Sequence, residues 1–222
     1  MESTVINFHR YYFAMILPIF GILSTTSMAG EPKTVTFPSG EKLNVIAGPE
    51  GKGEEYFNPF ASTKLPLLDV SGANRNKTLS KNFTAGELTQ SGKKIFTKAR
   101  IDPNLVICLQ KIRDHVGKPV IVNSGYRSYL YNKKIYEDKN QKPTNSRHIS
   151  GQAADIRVAG MSGLEIAKIA LKVYGPNIGV GVANSYAHID VRGTYARWTY
   201  FKGEKSTATI RALDAYRNTL KK

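Results

Sequence analysis

Ser146-Arg147-His148-Ile149-Ser150-Gly151-Gln152-Ala153-Ala154-Asp155-Ile156-Arg157-Val158 is the stretch on which the reading of this chain turns. Its first half is polar and carries a glycine. Its second half, 153–158, predicts a short strand with a carboxylate inside it. An aspartate in an apolar strand is costly to bury unless something pairs with it. A divalent cation would do so, and zinc accepts both imidazole and carboxylate donors. Gly151 and Ala153 are small enough to let the loop fold back until His148 meets Asp155. Spacing alone leaves two readings level: a metal site, or an Asp capping a neighbouring loop beside a surface His.

Working outward, regular elements flank this stretch on both sides. Thr84 with Glu87 has the capping-box spacing of a short helix. Asp102-Pro103 opens a helix in which Leu105, Leu109, Ile112 and Val116 repeat at helical spacing, and Gly117 closes it. The β-branched run 120–122 predicts a strand. Downstream, Ser162 and Glu165 open a helix whose inner face is Leu164, Ala167, Ala170 and Leu171, stopped by Gly175-Pro176. Two strands, 178–182 and 186–191, follow around an Asn184-Ser185 turn, and 207–222 predicts a last helix. Near the start, 34–37 and 42–46 form a hairpin about Pro38-Ser39-Gly40. The segment 47–82 is rich in Gly, Asn, Lys and Pro and reads as loop or linker. Helices mixed with short strands, without regular alternation, imply an α+β fold with a mostly antiparallel sheet. The expected order is 1–29 signal, 30–82 extension, 83–202 compact main domain and 203–222 helical tail.

The chain has 222 residues and a formal charge of +15. Arg10, the apolar run 11–23 and Ser27-Met28-Ala29 have the layout of an export signal. Thirteen apolar residues fall short of the about 20 that span a membrane, so removal after residue 29 and retention as an anchor both stay open. Export to the periplasm or cell envelope is the expectation. A lone cysteine, Cys108, excludes an internal disulfide; set among Leu105, Val106, Leu109 and Ile112, it reads as a core residue. The scattered lysines and the lack of a nucleic-acid-binding module argue against nucleic acid. An anionic cell-wall polymer fits the charge better, and a membrane enters only if the signal is retained.

Four histidines occur, at 9, 115, 148 and 188. His9 lies in the signal, and His115 sits where a helix C-terminus favours a cation. That leaves His148 and His188. In Ala187-His188-Ile189-Asp190-Val191 the alternation of a strand puts His188 and Asp190 on one face. A third group, Asn123-Ser124-Gly125-Tyr126-Arg127-Ser128, places Arg127 just after a strand, where its guanidinium can clamp a carboxylate or carbonyl.

Taken in order, Ser124-Gly125-Tyr126-Arg127-Ser128, Ser146-x-His148-x-x-Gly151-x-Ala153-x-Asp155 and His188-x-Asp190 resemble the three signatures of M15-type zinc peptidases. These are D-alanyl-D-alanine carboxypeptidases and murein endopeptidases, whose metal fold is shared with the hedgehog signalling domain. The subgroup with a His-x-Asp motif followed by Arg-Trp, here Arg197-Trp198, is the nearest in pattern. The resemblance implies zinc held by His148, Asp155 and a third ligand from the last motif. His188 is the expected one, as the more usual zinc donor, with Asp190 the alternative. It further implies a zinc-bound water as nucleophile, Arg127 as oxyanion stabiliser and Asp190 as proton shuttle. Ser146 and Tyr126 would meet the peptidoglycan peptide. The chain departs from relatives that carry an acid three residues before the last ligand, since Ser185 stands there. This keeps a second function in view: a cell-wall-binding domain with a structural zinc.

Overall fold

A computed structural model describes residues 34–46, 54–60, 65–142 and 144–221. The signal expected at 1–29 lies outside the described residues. The expected hairpin is present as β1 (Thr34–Thr36) and β2 (Lys42–Asn44), paired antiparallel. The stretch expected to be loop carries β3 (Leu68–Asp69), a 3-10 turn at Gly72–Asn76 and β4 (Thr78–Ser80). Leu67, Leu68, Val70 and Leu79 are the reason: all four are buried, and burial of each outweighs the turn-forming residues around it.

Next come β5 (Phe83–Thr84), α1 (Ala85–Leu88), β6 (Gln90–Ser91), β7 (Lys94–Ile95) and β8 (Lys98–Ala99). The Thr84–Glu87 capping box of α1 forms as expected. Helix α2 (Pro103–Val116) starts where Asp102 accepts from the Asn104 amide at 2.8 Å and ends on Gly117 in the left-handed region. Strand β9 (Val120–Ser124) leads into α3 (Tyr129–Glu137), capped by Ser128. The apolar period does not announce this helix, because only Asn132 within it is buried. Then follow β10 (Ala153–Val158), α4 (Gly163–Tyr174) with the Ser162–Glu165 capping box, β11 (Gly179–Val182), β12 (Ala187–Asp190), β13 (Ala196–Thr199) and α5 (Glu204–Thr219).

Seven strands make the central sheet, in the order β13-β11-β12-β10-β9-β6-β7. All pairs are antiparallel except β11 with β13. The α+β, mostly antiparallel expectation therefore holds. Ile156, Val158, Val180, Val182 and Ile189 bury one face of the sheet together with Leu105, Leu109, Ile112, Ile166, Ala170 and Leu171 of α2 and α4. Each valine, leucine or isoleucine among them contributes about 1.5–3 kcal/mol on leaving water. Cys108 is fully buried among them, and burial raises its thiol pKa far above the usual range. Helix α5 packs against α4 and β13. Among the described residues, no helix is long and apolar enough to cross a membrane.

The opposite face positions chemistry. Pairing registers align Trp198, Gly181, His188, Asp155, Ser124 and Ser91 in one row across six strands. A bulge makes this row possible. Register partners share a face; β9 passes from Val122 opposite Ile156 to Ser124 opposite Asp155, with Asn123 as the extra residue.

Candidate metal centre

Strand pairing brings two of the three expected ligands together, since Asp155 and His188 are direct cross-strand partners. His148 joins them from the turn before β10, with its ring edge toward His188 at 4.9 Å between centroids. The three facing atoms are His148 Nε2, His188 Nδ1 and Asp155 Oδ1. They lie 3.1 Å, 3.0 Å and 3.3 Å apart (His148 to His188, His188 to Asp155, His148 to Asp155). Donors about 2.0–2.1 Å from a tetrahedral zinc stand about 3.3 Å from one another, so the triangle has the edge lengths that an ion requires.

What lies behind each ring decides what the triangle presents. His148 Nδ1 is 2.6 Å from the Gly125 carbonyl, which only accepts, so Nδ1 carries the hydrogen and Nε2 offers a lone pair. Gly125 must be glycine for this, because a Cβ there would collide with the Leu88 backbone. His188 Nε2 faces Asp190 Oδ2 at 3.2 Å, which likewise leaves the Nδ1 lone pair inward. Asp155 turns Oδ2 to Arg127 Nη2 at 2.7 Å and keeps Oδ1 for the triangle. With both rings neutral, three electron-rich atoms thus converge with no hydrogen between them. A positive charge there, a proton on His188 or a metal ion, makes that arrangement favourable, and two nitrogens with one carboxylate oxygen are a donor set for zinc.

The electrostatics agree. Burial, then the Arg127 charge, lowers His148 to about 4 despite the pull of Asp155, so this ring is neutral at neutral pH. His188 is raised: burial opposes the charged form, but hydrogen bonds to Asp155 and Asp190 outweigh it. It is the ring a proton reaches most easily, as expected where a positive charge is welcome. Asp155 and Asp190 both sit well below the usual carboxylate range. Burial opposes this in each, and the histidines, with Arg192 for Asp190, prevail.

The remaining expected residues divide. Arg127 lines the cleft, as does Ser146, whose hydroxyl accepts from the His148 amide at 3.4 Å. Asp190 does not open to the cleft. It is 0% exposed behind His188, and Arg192 grips both its oxygens at 2.6 Å. Tyr126, expected at the substrate, is instead a core residue, 1% exposed with its ring edge-on to Phe96. It follows the turn at Gly125, and its apolar ring outweighs the hydroxyl in choosing the interior. Of the Arg197-Trp198 pair, Arg197 bonds Asp214 of α5, while Trp198 faces the cleft 4.9 Å from the His188 ring. Exposed His115 lies apart from the cleft.

Sequence reasoning passed over Arg192, Arg147, Tyr186 and Tyr200. A signal for Arg192 was present: His188, Asp190 and Arg192 alternate, as residues on one strand face do. The cleft measures about 470 Å³, and α3 and the chain after it supply one wall through Ile135, Tyr136 and Lys139.

Residues 81–190 match the family described as Peptidase M15. The chain is 32% identical over 100 residues to the Peptidoglycan L,D-endopeptidase MepK of Escherichia coli (strain K12), and equally to the proteins of that name in Escherichia coli O157:H7 and Shigella flexneri. Each match covers 44% of this chain and 54% of the relative, so the chain spans about half the length of the curated relatives it matches. The His148, Asp155 and His188 triangle and its supporting partners all fall within the matched segment, apart from Arg192 just beyond it. Through residues 81–190, this chain belongs to the M15-type peptidase family.

Proposed function

We propose that the chain is an exported, zinc-dependent peptidase of the cell envelope that hydrolyses an L,D peptide bond in peptidoglycan. One observation carries the metal: three lone pairs, each fixed by a partner behind it, converge at 3.0–3.3 Å. Family membership and the activity named for the relatives supply the peptide and the polymer.

His148, Asp155 and His188 would hold zinc, with Asp190 and Arg192 keeping the His188 ring in place. Bound there, zinc supplies Lewis acidity, polarising the scissile carbonyl and making water nucleophilic near neutral pH. The guanidinium of Arg127, anchored by Ser124 Oγ at 2.9 Å and by Asp155, has further N–H donors for an oxygen that gains negative charge. Each donor of this kind contributes roughly 3–4 kcal/mol in the transition state. The Tyr186 phenol, raised by burial and by the Asp155 charge, stays protonated and offers a second donor from the cleft wall. Asp190 is placed to orient His188, a different task from moving a proton to the leaving amine.

The test is incubation of the purified chain with isolated peptidoglycan, with product peptides resolved by mass spectrometry. Cleavage abolished by a chelator and restored by zinc is expected. No cleaved bond with zinc, manganese, cobalt or nickel would overturn the enzyme reading. One observation favours the second reading, a wall-binding domain with a structural zinc: among the described residues, no carboxylate besides Asp155 lines the cleft. Retention on intact cell walls without turnover would select it.

A further inference from the structure

Charges around the cleft are compensated in pairs, with one ordered exception. Arg127 is matched by Asp155 and Arg192 by Asp190. Arg147 also lines the cleft, immediately before the metal ligand His148, yet among the described residues no carboxylate comes within ion-pair reach of it. Lys139 is the other unmatched cation there, but it is exposed on a flexible stem.

Arg147 is held in place. Its guanidinium lies over the Phe60 ring, 4.0 Å from the centroid, and Nη1 donates to Gln152 Oε1 at 3.0 Å. Gln152 is itself anchored, since its amide nitrogen donates to Asp102 Oδ2 at 3.2 Å and its oxygen also accepts from Ser150 Oγ at 3.1 Å. Stacking on one face and a single anchored donor leave most of the fork's five N–H groups uncommitted. The cation is half-buried, which removes part of its solvation. A preorganised, partly desolvated, unpaired guanidinium is a receptor for an anion, and its planar fork matches a carboxylate.

We propose that Arg147 is the residue by which this cleft recognises a free carboxylate of its peptide, flanking the bond presented to His148, Asp155 and His188. The inference rests on the peptidase reading for the nature of the ligand and assigns the site a specificity determinant of its own. Phe60 and Gln152 are positioning residues for it. In a peptidoglycan stem the carboxylate has two sources, the chain terminus or a side chain, and the recognition chemistry is the same.

The test is calorimetric binding to the full chain, zinc-loaded and zinc-stripped, so that the result stands whether or not turnover occurs. The probes are a synthetic stem tetrapeptide, the same peptide amidated only at its C-terminus, and the same peptide amidated only at its side-chain carboxylates. One of the amidated peptides is expected to bind wild type roughly 10- to 100-fold more weakly, which identifies the source. Arg147→Met should weaken the unmodified peptide by a similar factor and bind all three alike. Arg147→Lys should recover part of the preference, and Phe60→Leu should reduce it. The variants' zinc content should equal wild type. If wild type binds all three peptides equally, the proposal is overturned without any variant. It is also overturned if folded Arg147→Met keeps the preference. Absence of turnover with an Arg147-dependent preference would instead count against the peptidase reading and leave the carboxylate site standing.

Discussion

Replacing Asp190 by Asn should cost the proposed zinc site most of its affinity while changing only one heavy atom of the side chain. The wild-type carboxylate accepts from His188 Nε2 at 3.2 Å and from Arg192 Nε and Nη2 at 2.6 Å each. An amide has only one oxygen for these tasks. If that oxygen faces Arg192, the NH2 meets His188 Nε2, which must become an acceptor. The ring proton then moves to Nδ1, onto the lone pair meant for the metal. If the oxygen faces His188, the NH2 confronts two guanidinium donors in a site with 0% exposure. The first outcome removes the inward lone pair, and the second keeps it only at the cost of a buried clash of donors. Loss of such a supporting partner typically weakens metal binding 10- to 100-fold, about 1.4–2.7 kcal/mol. Zinc affinity should be read by competition with a chromophoric chelator at pH 7.5, with circular dichroism confirming the fold. A folded Asp190→Asn that binds zinc within threefold of wild type would refute the tautomer argument.

Three other outcomes follow from the same geometry. In Gly181→Ala the new Cβ would lie 2.5 Å from the Trp198 indole, so the ring must leave its place beside His188; a loss of about 1–3 kcal/mol in thermal unfolding is expected, and an unchanged midpoint would contradict it. Ile156→Ala, at a fully buried position between the sheet and its helices, should cost about 2–5 kcal/mol by urea unfolding, and less than 1 kcal/mol would show that the core there is loose. For the zinc-free protein, His148 titrates near 6.5 unfolded and at about 4 folded, so below about 6.5 the unfolded chain binds the extra proton and stability falls until about pH 4. His188 has the opposite sign, but its raised pKa confines its effect to the window above about 6.5, where stability is lost as pH rises. Urea unfolding at pH 7 and pH 5 checks this, and equal stability at the two values would sink the assignment of a buried neutral His148.

Much of this fold was legible because its signals are local. Asp102-Pro103, Ser162 with Glu165, and Gly117 each mark a helix end through a hydrogen bond or backbone angle within a few residues. Strand β13 and helix α3 were not legible, for long-range reasons. Strand β13 exists as a parallel partner of β11, and α3 is held by the Ser128 cap and the Asn132 bond to the Thr144 carbonyl. In the site, His148, Asp155 and His188 were identified from motif order. The choice between His188 and Asp190 as inner partner rests on three-dimensional facts, namely which carboxylate Arg192 takes and which face of the imidazole it leaves. Tyr126 shows the reverse error, in which a polar motif residue was credited with contact that its ring, packed on Phe96, cannot make.

The pairing of Asp155 with His188 across two neighbouring strands has a consequence for assembly. Side chains alternate along a strand, so sliding either strand by a single residue would turn one of the two toward the helices and dismantle the coordination triangle. Under the proposed zinc chemistry, an ion held by all three groups would therefore act as proofreader of the sheet: only a correctly aligned chain could be charged with metal, and the charged chain would resist misalignment.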